Sequence, residues 1–123
     1  MKKTKMLKKN YEFKNVLTKG KYYSGKNIEA FILNNKSNYN YLGLAISVKV
    51  GKSTRRNYIK RLIRENYKNL ENSINTGYSI VFLWKKKADI INANYYNIQE
   101  DVKKIFKSAN IFLDEDNIWK KYV

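Results

Sequence analysis

The stretch GKSTRRNYIKRLIRENYK, from Gly51 to Lys68, has the pattern of a single amphipathic helix. Its apolar side chains recur at spacings of three and four residues, which places them on one face of a helix. These side chains are Ile59, Leu62, Ile63, Tyr67 and, just beyond the stretch, Leu70. Four basic side chains follow at four-residue intervals on an adjacent face, namely Arg56, Lys60, Arg64 and Lys68. We therefore expect a helix with one buried face and one basic face.

All the arginines of the chain lie in this predicted helix, at Arg55, Arg56, Arg61 and Arg64, and every other basic residue is a lysine. A guanidinium group can donate two parallel hydrogen bonds to one phosphate or stack on a base, whereas an ammonium group acts as a point charge. Because the arginines are concentrated here, the helix is interpreted as a binding site rather than a solvated face.

The first turn of this helix has an unfavourable charge for a helix start. Ser53 or Thr54 is predicted to be the N-cap, and the positive end of the helix dipole then favours acidic residues. The sequence instead places Lys52, Arg55 and Arg56 there, at a cost of about 0.3–1 kcal/mol for each misplaced charge. A bound polyanion would reverse the sign of this effect, because helix amides and basic side chains would attract the same phosphates.

The net charge of +16 is concentrated in two blocks. Residues 1–26 contain nine lysines and one acid, and residues 49–68 contain eight basic residues and one acid. A charge that served only solubility would be spread evenly. If the two blocks meet in space, they form the basic surface typical of a nucleic-acid-binding protein.

The composition excludes most catalytic chemistry. The chain contains neither histidine nor cysteine, so it has no imidazole base, no disulfide and no zinc site of the usual ligand types. Asp114, Glu115 and Asp116 are interpreted as a solvated tail rather than a cation site. We expect no catalytic residue and no metal ligand in the protein itself.

The length of 123 residues favours one domain, residues 1–123, with a basic arm at residues 1–6 and a tail at residues 111–123 that are both expected to be frayed. The N-terminus lacks the apolar run of a signal peptide. The longest apolar run, Ile80 to Trp84, is far too short to cross a bilayer. We therefore expect a cytoplasmic protein with no membrane partner.

The remaining pattern predicts an order of elements. Asn10 is predicted to be the N-cap of a first helix, which carries Phe13, Val16 and Leu17 on one face and ends at Gly20. Strands are predicted at Tyr22–Ser24, Ile28–Leu33, Tyr41–Val48 and Tyr78–Trp84, and a last helix is predicted to be capped by Asn94. In the third strand, Leu42, Leu44, Ile46 and Val48 face one side, and the small Gly43 and Ala45 leave room on the other. A strand, the basic helix and another strand in succession predict a βαβ crossover.

Several stretches together resemble the protein subunit of bacterial ribonuclease P. They are Leu7-Lys8-Lys9-Asn10 with Phe13, Gly43-Leu44-Ala45-Ile46-Ser47 leading to Lys49 and Gly51, and Arg56-Asn57-Tyr58-Ile59-Lys60-Arg61-Leu62-Ile63-Arg64-Glu65. The resemblance covers roughly residues 7–109 in the order of elements. The family pattern has Arg-Asn-Arg before Ile-Lys-Arg-Leu-Ile-Arg, and this chain departs from it at Tyr58.

The resemblance implies an α+β domain, a two-layer α/β sandwich with the order αβββαβα, a four-stranded sheet and a left-handed βαβ crossover like that of a ribosomal protein fold. It also implies that the RNA subunit carries the catalytic centre with its Mg²⁺ ions, and that the protein binds no cofactor itself. The implied partners are the ribonuclease P RNA and the 5′ leader of precursor tRNA, and no DNA.

The resemblance also implies two groups of binding residues. The catalytic RNA would be contacted by Lys52, Arg55, Arg56, Asn57, Lys60, Arg61 and Arg64. The leader cleft would contain Phe13, Leu17, Phe31 and Lys49, where Leu17 replaces an aromatic residue found in many members. From the residues alone, Phe13 and Phe31 suit a core as well as a stacking surface.

Two other functions remain open at this point. One is a structural RNA-binding protein of the ribosomal type, with no role in cleavage. The other is a self-sufficient metal-dependent nuclease that uses carboxylates. The RNA that accompanies the protein would separate the first from a ribonuclease P subunit, and cleavage by RNA-free protein would support the second.

Overall fold

The computed structural model describes residues 1–113. Its strands are β1 (Thr4–Met6), β2 (Lys21–Ser24), β3 (Ile28–Asn34), β4 (Asn40–Leu44) and β5 (Tyr78–Trp84). Its α-helices are α1 (Asn10–Lys19), α2 (Ser53–Leu70) and α3 (Tyr95–Ser108). The predicted order αβββαβα is thus confirmed, with one additional strand at the start. The tail predicted at residues 111–123 is not loose at its start, because Ile111 is buried in the main core and Phe112 forms a bridge with Ile74. From Asp114 onward it lies outside the described residues.

The strands form one sheet in the order β1-β4-β5-β3-β2. β4 is parallel to both β1 and β5, while β3 is antiparallel to β2 and β5. The segment β4–α2–β5 is therefore the predicted βαβ crossover between adjacent parallel strands. The left hand of this crossover stays a prediction.

The N-terminal arm is not frayed at residues 4–6, contrary to the sequence expectation, and the sheet has five strands rather than four. Thr4–Met6 pairs in parallel with Asn40–Leu42, and the Leu7 amide continues the ladder by donating to the Leu42 carbonyl at 2.8 Å. The buried Thr4 hydroxyl lies 2.6 Å from the hydroxyl of Tyr67 on α2. These long-range contacts anchor a segment whose own sequence has no strand pattern.

The main core lies between one face of the sheet and the helix pair α2–α3, which gives the predicted two layers. The sheet contributes Ile28, Ala30, Ile32, Leu42, Ile80, Phe82 and Trp84, and the predicted apolar stripe of α2 is buried against them. Val48 does not join this face, because β4 ends at Leu44 and the chain turns into a 3₁₀ helix at Val48–Val50. Val48 is consequently 71% exposed.

The opposite face of the sheet is only partly covered, by α1. A small second core contains the buried Leu7, Val16 and Val81, with half-buried apolar side chains around them. Because α1 is a single helix of ten residues, it leaves part of this face open. This arrangement creates a cleft between α1 and the sheet.

The N-caps of α1 and α2 lie one or two residues before the predicted ones, which were Asn10 for α1 and Ser53 or Thr54 for α2. α2 has Lys52 at its N-cap, with no side-chain hydrogen bond to the helix amides. α1 has Lys9 at its N-cap, and the Glu12 carboxylate accepts the Lys9 amide at 2.9 Å. For α3 the prediction is confirmed, because the Asn94 side chain accepts the Asn97 amide at 2.9 Å. The amides at the start of α2 therefore lack a side-chain acceptor at the cap, as expected for an anion-binding helix end.

The buried Tyr67 should make the fold sensitive to alkaline pH. Burial, as the largest cause, raises the pKa of its phenol above the ordinary 10.0. The stability that the neutral phenol contributes is then fully present below pH 10 and is lost as the pH rises through the folded-state pKa. When the pH is raised from 9 to 11, the free energy of unfolding, measured with urea, should fall less for Tyr67→Phe than for the unchanged protein. At pH 7 the variant should be less stable than the unchanged protein by about 0.5–1.5 kcal/mol, because the Thr4 hydroxyl loses its partner.

A matched control for this prediction is Tyr11→Phe, because Tyr11 is 67% exposed. This variant should follow the unchanged protein at every pH. If Tyr67→Phe and Tyr11→Phe gave the same alkaline loss of stability, titration of Tyr67 would not be its source.

Candidate nucleic-acid interface

The outer face of α2 presents the predicted basic side chains to solvent. Arg55, Asn57, Arg61 and Arg64 are exposed, as is the preceding Lys52, while Arg56 and Lys60 are half-buried at the border of the core. The helix holds these groups in a fixed row, because its buried stripe packs against the sheet and α3. All seven residues predicted to contact the catalytic RNA therefore lie on or beside one helix.

Arg56 has a structural contact in addition to its predicted role. Its Nε donates to the Gly51 carbonyl oxygen at 3.2 Å, which fastens the turn before the helix to the first turn of α2. The remaining N–H groups of this guanidinium can still donate to a ligand. The sequence pattern did not indicate this contact.

Acidic side chains hardly neutralise α2. Within residues 1–113, the one ion pair joins Arg61 to Glu65 at 3.7 Å, with both side chains more than half exposed. Exposed pairs of this kind contribute about 0–1 kcal/mol, so Arg61 can exchange partners readily. Other carboxylates instead accept hydrogen bonds from amide or hydroxyl groups, namely Glu12, Glu29, Asp89 and Asp101.

The two basic blocks of the sequence meet at one edge of the sheet. Because β1, β4 and β5 are parallel, the segments that follow them emerge at the same edge. The β2–β3 turn lies there too, since the Lys85 amide donates to the Asn27 carbonyl at 2.9 Å. We call this surface the basic edge; its members are Lys8, Lys9, Lys26, Lys49, Lys52 and Lys85–Lys87.

The basic edge adds residues that were not among the candidates from the sequence. Lys85-Lys86-Lys87 directly follows β5, and Lys26 lies in the β2–β3 turn. The sequence shows the lysine triplet at the end of an apolar strand. Which other basic residues lie beside the triplet depends on the strand order, which could not be predicted from the sequence. α2 begins at the same edge, so its arginines continue this positive surface.

The fold brings three of the four residues predicted for the leader cleft together. The cavity between α1 and the sheet is lined by others, namely Leu7, Tyr11, Glu12, Asn15, Val16, Tyr41 and Ser79. Phe13 and Leu17 on α1 and Phe31 on β3 are all half-buried in the second core. Each of them is therefore partly packed in the second core and partly open to solvent. For Phe13 and Phe31 this is compatible with both predicted roles, the core residue and the stacking surface. Lys49 is exposed in the turn after β4 and lies outside this apolar cluster.

Tyr22 extends the aromatic surface of the cleft and was missed by sequence reasoning. It pairs with Phe31 across β2 and β3, and the two ring centroids are 5.3 Å apart. Tyr22 is 48% exposed. Its hydroxyl donates to Glu29 Oε2 at 2.6 Å, and this hydrogen bond raises the pKa of the Tyr22 phenol. Only the register of the two strands reveals that Tyr22 and Phe31 share a face.

The space predicted beside Gly43 is filled by the protein itself. A side chain added at Gly43 would place its first carbon 2.6 Å from the Phe13 ring and 3.0 Å from Leu7 Cδ1. The room was expected for an approaching ligand, but Phe13 packs there instead. Gly43 thus fixes the depth at which Phe13 sits in the cleft.

Gly43→Ala should therefore destabilise the fold by about 1–3 kcal/mol, as overpacking of a tight contact does. The Phe13→Leu substitution should reduce this penalty, because a smaller side chain leaves room for the added methyl group. Urea unfolding of the two single variants and the double variant checks this coupling. Additive changes in the free energy of unfolding would contradict a direct clash between positions 43 and 13.

Two further observations limit the chemistry. Within residues 1–113, no group of three or more acidic side chains is arranged to hold a metal ion. Among the helices that the structure describes, none combines the length and apolar character needed to cross a membrane.

Comparison with known proteins identifies the family. The Ribonuclease P family model matches residues 1–110. The chain belongs to the ribonuclease P protein family. A ribonuclease P protein component of Clostridium botulinum is 38% identical over 111 residues, which cover 89% of this chain and 98% of the relative.

Solved ribonuclease P proteins share the fold. The Staphylococcus aureus RNase P protein has a TM-score of 0.77 and 29% identity, and the match covers 88% of this chain and 97% of that one. A mutant of the S. aureus protein is described as having defective mRNA degradation activity. It has a TM-score of 0.75 and 28% identity, and the match covers 87% of this chain and 89% of the mutant chain. Family membership confirms the resemblance and the α+β fold, and it supports the predicted role in 5′ leader processing.

Proposed function

We propose that this chain is the RNA-binding protein subunit of a ribonuclease P, in which the RNA subunit carries out cleavage. The observation that supports this most directly is the arginine face of α2, which continues the basic edge in a member of this family. A surface of this kind suits the phosphate backbone of a folded RNA. The Arg55–Arg64 segment and the basic edge then contact the ribonuclease P RNA.

The cleft between α1 and the sheet is proposed to bind the 5′ leader of precursor tRNA. The stacking surface proposed there is formed by Phe13, Phe31 and Tyr22, which are half-buried or exposed beside the cavity. Aromatic rings bind unpaired bases by stacking, at about 1–3 kcal/mol per base and with little sequence preference. Glu29 on the same face repels phosphate, so the leader would place its bases on the sheet and its backbone toward Lys49 and the basic edge.

Catalysis and metal ions are assigned to the RNA in this proposal. The protein has no histidine or cysteine, and its described carboxylates form no metal-binding cluster. We therefore infer that the Mg²⁺ ions belong to the RNA subunit and that the protein improves binding and positioning. We further infer a cytoplasmic site of action, where tRNA precursors are processed, and no DNA partner.

Reconstitution with the cognate ribonuclease P RNA tests this function. The RNA-free protein should produce no mature tRNA 5′ end. Added to the RNA, it should raise kcat/KM for precursor tRNA at low Mg²⁺, and more so for a substrate with a leader than for one shortened to a single nucleotide. A lack of stimulation would refute the proposal, and equal stimulation of both substrates would refute the leader cleft.

Two other functions are outcomes of related tests. If the protein purified from its own cells carried ribosomal RNA instead of the ribonuclease P RNA, the structural, ribosomal-type alternative would replace this one. The S. aureus mutant named above motivates a test of RNA-free protein on single-stranded mRNA, with and without Mg²⁺. Cleavage there would support a nuclease activity of the protein itself.

A further inference from the structure

We propose that Tyr58 and Arg61 together form a stacking site for one unpaired base of the ribonuclease P RNA. This inference rests on the proposed function and specifies a contact within it. It concerns the position at which this chain has a tyrosine in place of the second arginine of the family pattern. An arginine can grip a phosphate through its guanidinium group, whereas a tyrosine offers the face of a ring to a base.

The two side chains form a preassembled pair on the outer face of α2. They are three residues apart, so they lie on the same side of the helix. The guanidinium carbon of Arg61 is 5.3 Å from the centroid of the Tyr58 ring, within the range of a cation–π contact. Tyr58 is 40% exposed and the Arg61 side chain 61% exposed. By contrast, Tyr67 on the same helix is completely buried.

Glu65 determines which part of a nucleotide suits this pair. It is the single acid of α2 and lies 3.7 Å from Arg61 Nε. Its carboxylate offsets the charge of Arg61 locally and repels phosphate oxygens. A ligand that contacts Tyr58 and Arg61 should therefore present an uncharged planar surface, which a base offers and a phosphate does not.

The surroundings favour RNA over a peptide as the occupant. Asn57 and Arg64 are exposed beside the pair on the same helix, so a backbone phosphate can be held next to a stacked base. The base must be unpaired and unstacked, because the Tyr58 ring has to lie against one face of the base. The base site and the phosphate sites thus lie along one row of α2.

Binding of the full-length protein to its cognate ribonuclease P RNA, measured at several salt concentrations, tests the proposal. Tyr58→Phe should bind within about twofold of the unchanged protein, because the ring remains. Tyr58→Ala should weaken binding by about 5- to 150-fold, as loss of one stacked base predicts, with an unchanged salt slope. Tyr58→Arg should steepen the slope by about 0.7–0.9, the value for one added phosphate contact.

A chemical footprint provides an independent readout. In the complex with Tyr58→Ala, one unpaired base of the RNA should regain reactivity toward a base-modifying reagent, while Tyr58→Phe should keep it protected. Tyr96→Ala is the matched control, because Tyr96 is a tyrosine on α3 that is 74% exposed; it should change neither affinity nor footprint. Thermal unfolding of each variant confirms that the fold is retained.

The outcomes separate this inference from the proposed function. If the unchanged protein binds the RNA and Tyr58→Ala binds equally well, or loses about one unit of salt slope, the stacking site is refuted and the function stands. If the unchanged protein does not bind the ribonuclease P RNA at all, both are refuted.

Discussion

Replacing Asp101 with alanine should lower the free energy of unfolding by about 3–5 kcal/mol, the largest effect expected of any single substitution outside the apolar core. The Asp101 carboxylate on α3 is buried and accepts three backbone amides of the β2–β3 turn. These are the amides of Lys26 at 2.9 Å, Asn27 at 2.7 Å and Ile28 at 3.1 Å. Each buried amide left without a partner costs about 1–3 kcal/mol.

The turn is shaped around this carboxylate. A side chain at Gly25 would place its first carbon 2.7 Å from Asp101 Cγ, so the glycine allows α3 to approach. The turn joins the strands that carry Tyr22 and Phe31, so its disruption should also loosen the aromatic floor of the cleft. We therefore expect Asp101→Ala to weaken leader-dependent stimulation of the reconstituted enzyme as well as stability.

Urea unfolding of Asp101→Ala, Asp101→Asn and Glu100→Ala checks this prediction. The asparagine keeps one acceptor oxygen, so its destabilisation should be roughly half that of alanine. Glu100 is the exposed neighbour on the same helix, and its removal should change stability by at most about 0.5 kcal/mol. Equal destabilisation by Asp101→Ala and Glu100→Ala would show that the three hydrogen bonds contribute little.

Removing Lys60 and Arg64 together should weaken binding to the ribonuclease P RNA by about 100-fold and reduce its salt slope by about 1.4–1.8. The two residues are four apart on the basic face of α2, so they can contact neighbouring phosphates. A phosphate that the protein no longer neutralises keeps its condensed counterions, which flattens the dependence of affinity on salt. Filter binding over a series of salt concentrations gives both quantities.

The chain provides a control of equal charge. Lys103 and Lys107 are also four residues apart and exposed, but they lie on α3. Replacing both by alanine removes the same two charges, and it should change affinity by less than about threefold through long-range attraction alone. If both pairs of substitutions had the same effect, net charge rather than the surface of α2 would determine binding.

The parts of the fold that could be predicted are those with a strong local pattern. The α2 helix, the apolar strand β5 and the cap of α3 at Asn94 each follow from a short stretch, because periodicity and capping depend on nearby residues. The order of the remaining elements was also predicted from periodicity and turn residues, and the resemblance implied the same order. Strand β1 could not be predicted, since Thr4–Met6 is held by pairing with β4 and by the Tyr67 hydroxyl.

The α2 part of the candidate site could be predicted as one helix face, whereas the larger surface that it joins could not. The α2 side chains were identified correctly as one face, because a helix fixes their relative positions. Tyr22 and Lys85–Lys87 were missed, since their relation to Phe31 and to α2 depends on strand register and strand order. Phe13 was ambiguous because its environment is mixed: it packs against Gly43 in the second core but is only half-buried.

The strand order has a consequence for how the protein acquires its structure during synthesis. Among the described strands, β5 is the last to be made, yet it lies at the centre of the sheet and joins the β1–β4 pair to the β2–β3 hairpin. A nascent chain that ends before Tyr78 therefore holds two strand pairs that no strand of the sheet joins. Such non-local pairing makes folding slow, and the RNA-binding surface becomes complete only after the ribosome has passed Lys87.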